Sequence, residues 1–346
     1  MTRAESKILA LDIGGANLKA ADGLGFAASR FFPLWRQPGE LPDALRSLLA
    51  ESPQADILAV TMTGELADCF QTKAEGVAQI VWAVKQIAAD RRVLIYATDG
   101  RLLAPDEARD APLAVAAANW HALARFAGHL APHGAGLLID LGSTTCDIIP
   151  LVDGQPAAAA TTDPERLASG ELVYTGVVRS PVCAVVSALP WRGRQVPVAQ
   201  EVFATMLDVY LTLGDLSDNA DHCHTADGRP AARAFARDRL ARQICADRTM
   251  FDDTDAQTAA VSIARTQLSK LAIAAQTVLR RMAERPAAVV VAGQGEFVAR
   301  RLLKKLAIDA NLISLAERLG PVVSQAATAH ALAILAQERC ADHRKR

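Results

Sequence analysis

The chain has no extended basic block, no CxxC pair and no apolar run of membrane length, and each absence removes a class of function. Its formal net charge is −1, and the short tail His343–Arg346 is its densest cationic stretch. Non-specific nucleic-acid binding needs a broad cationic surface to displace counterions, so no nucleic-acid partner is expected. A membrane helix takes roughly 20 consecutive apolar residues, which no run supplies, so no membrane partner is expected either. The six cysteines, at positions 69, 146, 183, 223, 245 and 340, are scattered along 346 residues and read as reduced thiols rather than a disulfide framework. The opening Met1–Lys7 is polar and leads straight into a strand, so no signal peptide is expected. These readings together describe a cytoplasmic globular protein. Its oligomeric state stays open, a homo-oligomer included.

What is present is a large apolar fraction, 51% of residues, with alanine heavily used and enough length for two domains. The most informative feature is an internal echo. The segment from Ile8 to Gly23 resembles the segment from Leu137 to Gly154, with Asp12 matching Asp140, Gly14 matching Gly142, Asn17 matching Thr145 and Lys19 matching Asp147. Each is an apolar strand, a Gly/Ser/Thr turn and a second strand. Repetition at this separation points to a duplicated domain, since a solenoid would repeat far sooner.

The rest alternates as a mixed α/β chain does. Strands are expected at Phe26–Trp35, Asp56–Thr63, Arg92–Thr98, Ala287–Ala292 and Leu312–Leu315. Helices are expected at Leu41–Glu51, Gln71–Ala89, Ala111–Phe126, Ala199–Leu213, Ala232–Arg248, Asp255–Glu284, Glu296–Leu306 and Val323–Arg339. Gly, Pro and His cluster in Gly128–Ala135 and mark a boundary between domains at 1–130 and 131–346. The second carries a polar insert, Gly214–Pro230, and a glycine turn, 293–295.

A carboxylate at a strand end followed by glycine suits a phosphate ligand. The carboxylate repels the anion directly but can hold Mg²⁺, which bridges to it; Asp12 and Asp140 are therefore the metal candidates. Gly14, Gly15 and Gly142 let backbone N–H groups approach an anion with no Cβ in the way. Asn17, Lys19, Ser143, Thr144 and Thr145 add donors. One such hairpin is an ordinary polar turn, but two matching copies are a signal. The run Val289–Gly295 delivers Gly293 and Gly295 to a helix N-terminus, where a nucleotide or other anion would find free N–H groups; a plain strand–helix connection reads the same way.

The paired hairpins and this glycine turn resemble the ASKHA superfamily of acetate and sugar kinases, heat-shock chaperones and actin. Narrower motifs are similar to the hydantoinase A/oxoprolinase-related group, and within it to a tetrahydromethanopterin-linked one-carbon-transfer branch that builds methanofuran. These are Thr61–Asp68, Ala118–Trp120, Gly170–Gly176 with Arg179-Ser-Pro181, and Thr225–Pro230, which with the hairpins span nearly the whole chain. The branch usually has Arg-Thr-Pro where Ser180 stands here. The resemblance implies an α/β fold of two RNase H-like domains around a central cleft. It also implies a transferase in which the phenol of a tyramine or tyrosine unit displaces diphosphate from an aminomethyl-furanylmethyl diphosphate. The partners would be a small phosphorylated substrate and a phenolic acceptor. The superfamily's commoner chemistry, an ATP-dependent kinase or hydantoinase/oxoprolinase-like hydrolase, is the other reading, with ATP in the same loops.

A phenol has an ordinary pKa near 10 and benefits from a carboxylate base. Glu65, Asp68 and Glu171 are the candidates, although Glu65 also suits a helix N-terminus through the dipole. Arg179 and Tyr174 read more readily as structural, although Arg179 could clamp a phosphate bidentately. Asn119 is placed to line the cleft. In the insert, Asp227 and Arg229 are substrate-binding candidates. Its His222, Cys223, His224 and aspartates offer metal donors without recognised metal spacing, so metal site, cleft-facing loop and solvated loop all stand open.

Overall fold

The computed structural model describes residues 6–345, with side chains to residue 341. Most of the polar opening and the basic tail therefore lie outside the described side chains. Two sheets carry the fold. The first runs β3-β2-β1-β4-β5-β6, from β1 (Ile8–Ile13), β2 (Asn17–Ala21), β3 (Ala27–Phe31), β4 (Ile57–Met62), β5 (Arg92–Tyr96) and β6 (Leu102–Leu103). The second runs β10-β8-β7-β13-β14, from β7 (Ala135–Leu141), β8 (Cys146–Val152), β10 (Leu172–Val173), β13 (Ala288–Ala292) and β14 (Asn311–Ser314), with β9 (Gln155–Pro156) paired to β8. A small ribbon, β11 (Ala188–Trp191) with β12 (Arg194–Pro197), stands apart.

The two sheets repeat one topology. An antiparallel hairpin supplies the middle of each, β1–β2 and β7–β8, and two parallel strands follow on the far side, β4–β5 and β13–β14. This is the duplication expected from the internal echo, in the RNase H-like α/β arrangement that the resemblance implies.

Strand periodicity decides which faces meet. Successive side chains point to opposite faces of a strand. Leu9, Leu11 and Ile13 join an outer core with Leu41, Leu45, Val77 and Ile80 from the helices Leu41–Ala50 and Lys73–Ala88. Ile8 and Ala10 turn the other way, onto Ala118, Ala122, Leu332 and Ala336. In the second sheet Leu137, Ile139 and Leu141 face the outer core, while Leu138 packs on Trp120, Leu123, Phe126 and Ala331. The inner faces of both sheets therefore share two helices: the crossing helix Asn119–Leu130 and the closing helix Ala327–Lys345. By the same alternation Asp12 and Asp140 belong to those inner faces. The closing helix, although last in the chain, buries Leu332, Ala333, Leu335 and Ala336 against the first sheet.

Several helices differ from the sequence expectation. The crossing helix starts at Asn119 and not near Ala111, because Ala117 takes a left-handed φ of 49° and breaks the alanine-rich run. Ala199–Thr205 stays non-helical, its carbonyls at Ala199 and Glu201 taken by the Gln243 side chain, so the helix there is Met206–Leu213. The helix from Arg233 ends at Arg242, short of a left-handed Cys245. The closing helix begins at Ala327, four residues later than expected. No single helix among the described residues is long and apolar enough to cross a membrane.

Candidate functional site

The two hairpin turns are built alike. Gly14 N–H donates to the Asn17 carbonyl at 2.9 Å, and Gly142 N–H to the Thr145 carbonyl at 2.9 Å, closing a tight turn over Gly15-Ala16 and over Ser143-Thr144. The following segment then fastens each turn from behind. Leu34 and Phe32 N–H donate to the carbonyls of Gly15 and Ala16; Val177, Val178 and Arg179 N–H donate to those of Gly142 and Ser143. With the carbonyls held on one side, the N–H groups point to the other. Among the described residues the N–H groups of Gly15, Ala16, Ser143 and Thr144 have no protein acceptor. Free, co-directed N–H groups in a turn make an anion-binding concavity. Asn17 and Thr145 therefore serve the hairpins through their backbone carbonyls.

The two strand ends carry different charges. Asp12 lies opposite Lys19 on β2, with Lys19 Nζ 3.4 Å from Asp12 Oδ2. The other carboxylate oxygen, Asp12 Oδ1, is buried without a hydrogen-bond partner, beside a fully buried Thr61 hydroxyl that also lacks one. In the second hairpin the residue opposite Asp140 is a second acid, Asp147. Arg166 neutralises Asp147 at 2.5 Å and lies 4.1 Å over the ring of Trp120 from the crossing helix. Asp140 has no such local partner: burial, then Asp147, push its pKa up from 3.8 to about 7, with Lys19 acting against and Asp12 and Glu296 adding to the rise. That Lys19 and Asp12 are felt at Asp140 places the two strand ends in one electrostatic site.

Glycines set the approach behind the second turn. A Cβ on Gly176 would lie 2.4 Å from the Thr144 nitrogen. Gly293, with φ of +86°, sits where a Cβ would meet an Asp140 carboxylate oxygen at 2.6 Å. Gly295 packs onto Leu141 and gives its N–H to the Leu141 carbonyl at 2.8 Å. The expected anion contacts of Gly293 and Gly295 thus meet a different arrangement, in which close packing and a used donor make this turn the support of Asp140.

Glu65 is 1% exposed, and burial raises its pKa above the ordinary carboxylate range, with Lys73 opposing. Lys73 Nζ lies 3.4 Å from Glu65 and 2.7 Å from Asp163 of the second half. A lysine in the first turn of a helix opposes the helix dipole, so these two carboxylates account for its position. Glu65 Oε2 remains buried and unpartnered. The structure also shows an echo that the sequence reading missed. Gly64 and Gly295 each donate to the carbonyl of the residue after the hairpin aspartate, Ile13 and Leu141, which makes Glu65 and Glu296 equivalent. Glu296 is occupied differently, accepting from Ser314 Oγ at 2.5 Å and from Ala316 N–H at 3.0 Å. The shared signal was a Gly-Glu pair after a buried strand.

Other expected residues are placed as follows. Glu171 is fully buried and receives Ala159 N–H at 2.7 Å and Arg281 at 2.9 Å, a structural clamp at the end of a long helix. Asp68 is exposed, and Tyr174 is 71% exposed. Asn119 opens the crossing helix, half-buried. Arg179 reaches across to Trp35 of the first half, 5.2 Å over its ring. His224 of the insert stacks on Phe31 at 3.9 Å, so the insert also touches the first half. Asp227 and Arg229 are not free to meet a substrate. Asp227 is bonded by Arg229 at 2.7 Å, Arg239 at 3.0 Å and Arg242 at 3.2 Å, and Arg229 also reaches Asp238. This network holds Asp227 well below the usual carboxylate range, Arg229 contributing most. Among the described residues no three His, Cys, Asp or Glu side chains converge as a metal cage, in the insert or elsewhere.

Comparison with known proteins supplies the remaining findings. A hydantoinase/oxoprolinase family model matches residues 56–339. A (4-{4-[2-(gamma-L-glutamylamino)ethyl]phenoxymethyl}furan-2-yl)methanamine synthase from Methanocaldococcus jannaschii is 34% identical over 335 residues, 96% of this chain and 98% of its own. The synthase of the same name from Methanococcus vannielii is 30% identical over 201 residues, 58% of this chain and 89% of its own. Among solved structures, the activator of 2-hydroxyisocaproyl-CoA dehydratase from Clostridium difficile covers 98% of this chain and 97% of that one, at 12% identity and a TM-score of 0.44.

Proposed function

The chain belongs to the hydantoinase/oxoprolinase family, and from that premise we propose that it is the transferase that joins a furanylmethyl carbon to a phenol oxygen in methanofuran biosynthesis. The donor is an aminomethyl-furanylmethyl diphosphate, and the acceptor is the phenol of a tyramine or tyrosine unit carrying a γ-glutamyl group. The bond from the methylene carbon to the phenol oxygen forms as the bond to diphosphate breaks. The electron pair leaves with diphosphate, and the phenol proton passes to a carboxylate.

The observation that carries this reading is the pair of matching turns. A diphosphate has two phosphoryl groups, and each turn offers free N–H groups of the kind that stabilise charge as it develops on a leaving group. Lys19 adds a positive charge between the strand ends. The site also fits Mg²⁺: the orphaned Asp12 Oδ1 and the strained acid Asp140 both indicate more negative charge than the protein balances by itself. Asp12 and Asp140 would hold the ion, which when bound neutralises the departing diphosphate. Glu65 takes the phenol proton. Its buried setting raises its basicity, and Lys73 and Asp163 hold it in orientation across the two halves. The Trp35–Arg179 and Phe31–His224 contacts bridge the two halves.

The test is to supply the furanylmethyl diphosphate and γ-glutamyltyramine with Mg²⁺, and to follow ether product and released diphosphate. Equal formation of both supports the assignment. ATP hydrolysis without ether formation replaces it with the ATP-dependent reading.

A further inference from the structure

A cavity of about 280 Å³ opens between the crossing helix, the closing helix and the turn joining β5 to β6. None of its lining residues belongs to either hairpin turn or to the contacts that bridge the halves. Arg125 lines it from the crossing helix and, half-buried, makes no hydrogen bond or ion pair with any described residue. A guanidinium carries five N–H donors and prefers planar oxyanions, so an unpartnered one in a cavity wall is a recognition group without its ligand. The neighbouring arginines are occupied: Arg101 pairs with Asp99 at 2.6 Å, and Arg339 donates to the Gly100 carbonyl at 3.3 Å.

The groups around Arg125 converge. The point where Gly100 would carry a Cβ lies 3.7 Å from His121 Cε1, 3.9 Å from Arg125 Nη1 and 3.9 Å from Tyr96 Oη. Tyr96 Oη is 2.9 Å from His121 Nδ1. Burial keeps His121 neutral, its pKa pushed down to about 4. In the tautomer with the proton on Nδ1, His121 donates to Tyr96 Oη and frees the phenol hydrogen to point into the cavity. Glu338 is the one carboxylate among the described lining residues, and its Oε1 lies 3.6 Å from His129 on the crossing helix. The lining therefore presents two guanidinium groups and a phenol hydroxyl beside a single acid.

We propose that this cavity is a second binding site, for a small carboxylate or phosphate-bearing metabolite whose oxyanion is seated on Arg125, with Tyr96 and Arg339 as flanking donors. The site is independent of the chemistry between the turns. Its volume admits a molecule smaller than most drug-sized ligands. Both anions offer the planar or tetrahedral oxygens that Arg binds by charge-assisted hydrogen bonds.

Titration calorimetry in a chloride buffer tests it, with succinate and inorganic phosphate as separate probes. Arg125→Met keeps the apolar stem and removes the fork. Loss of one charge-assisted contact pair should weaken the preferred anion by about tenfold or more, while ether formation without added anion stays at the wild-type rate. Phosphate also has the turns to bind, so the readout there is the disappearance of one of two binding events. Succinate bound and phosphate unaffected assigns a carboxylate ligand; the reverse assigns a phosphate. Should Arg125→Met fail to fold, Arg339→Gln, on the exposed side of the closing helix, carries the same measurement with a smaller loss. The proposal is overturned if the folded variant binds both anions as the wild type does, or if the wild type binds no succinate and the variant loses no phosphate event.

Discussion

The two hairpins share a backbone and differ in charge. In the first, Asp12 is faced by Lys19; in the second, Asp140 is faced by Asp147, with Arg166 behind it. Like charges directly opposite on neighbouring strands destabilise a sheet, and a duplicated domain had no need to keep them. The difference teaches that the second hairpin is not self-sufficient. Its surplus of negative charge is opposed from the first half by Lys19. One half carries its compensation locally and the other receives it from its neighbour.

The comparison can be broken at its most asymmetric point. Asp140→Ala removes the carboxylate proposed to hold Mg²⁺ and no core volume, so turnover should fall by roughly a thousandfold or more with the thermal unfolding midpoint retained. Near-normal turnover would remove the turns from the chemistry. A smaller effect is expected from Lys19→Met, where the charge that acts across the cleft is lost. A decline of about ten- to a hundredfold should appear, and the acidic limb of the rate profile should move to higher pH as Asp140 becomes harder to ionise.

Stability sharpens the same contrast. The Asp140 pKa is raised from 3.8 to about 7, so in this window the folded state binds a proton that the unfolded state has released. The stability it contributes is complete below 3.8, falls as pH rises, and is gone above about 7. Asp140→Asn should flatten that fall between about pH 4 and 7 in denaturant melts without added Mg²⁺. An unchanged slope would place the source elsewhere.

The smallest expected effect separates the supports of the turns. Gly176→Ala drives a methyl into the Ser143–Thr144 backbone and should destabilise by about 1–3 kcal/mol. Gly15→Ala meets nothing within 4 Å and should leave the urea midpoint almost unchanged.

Much of this was legible in the sequence. The hairpins could be read because a carboxylate and a glycine recur at fixed spacing in adjacent strands, which is local information. The equivalence of Glu65 and Glu296 was not legible, since it depends on which parallel strand lies beside each hairpin. Asp227 and Arg229 looked like substrate groups because a sequence shows charge and not its partner. Burial of Arg239 beside Asp208 is what turns that loop into a structural knot. The start of the crossing helix was misplaced for a different reason: alanine favours a helix on both sides of Ala117, and only tertiary packing imposes the left-handed residue.

The closing helix has a consequence for how the molecule is made. Ile8 and Ala10 leave the ribosome long before the side chains that cover them, Leu332, Ala333, Leu335 and Ala336. The second half can assemble its own outer core during synthesis. The first must wait, one face of its sheet uncovered, until the closing helix has been made. A stalled or truncated product would expose that face, and it is there, rather than at the cleft, that quality control in the cell would recognise an unfinished copy.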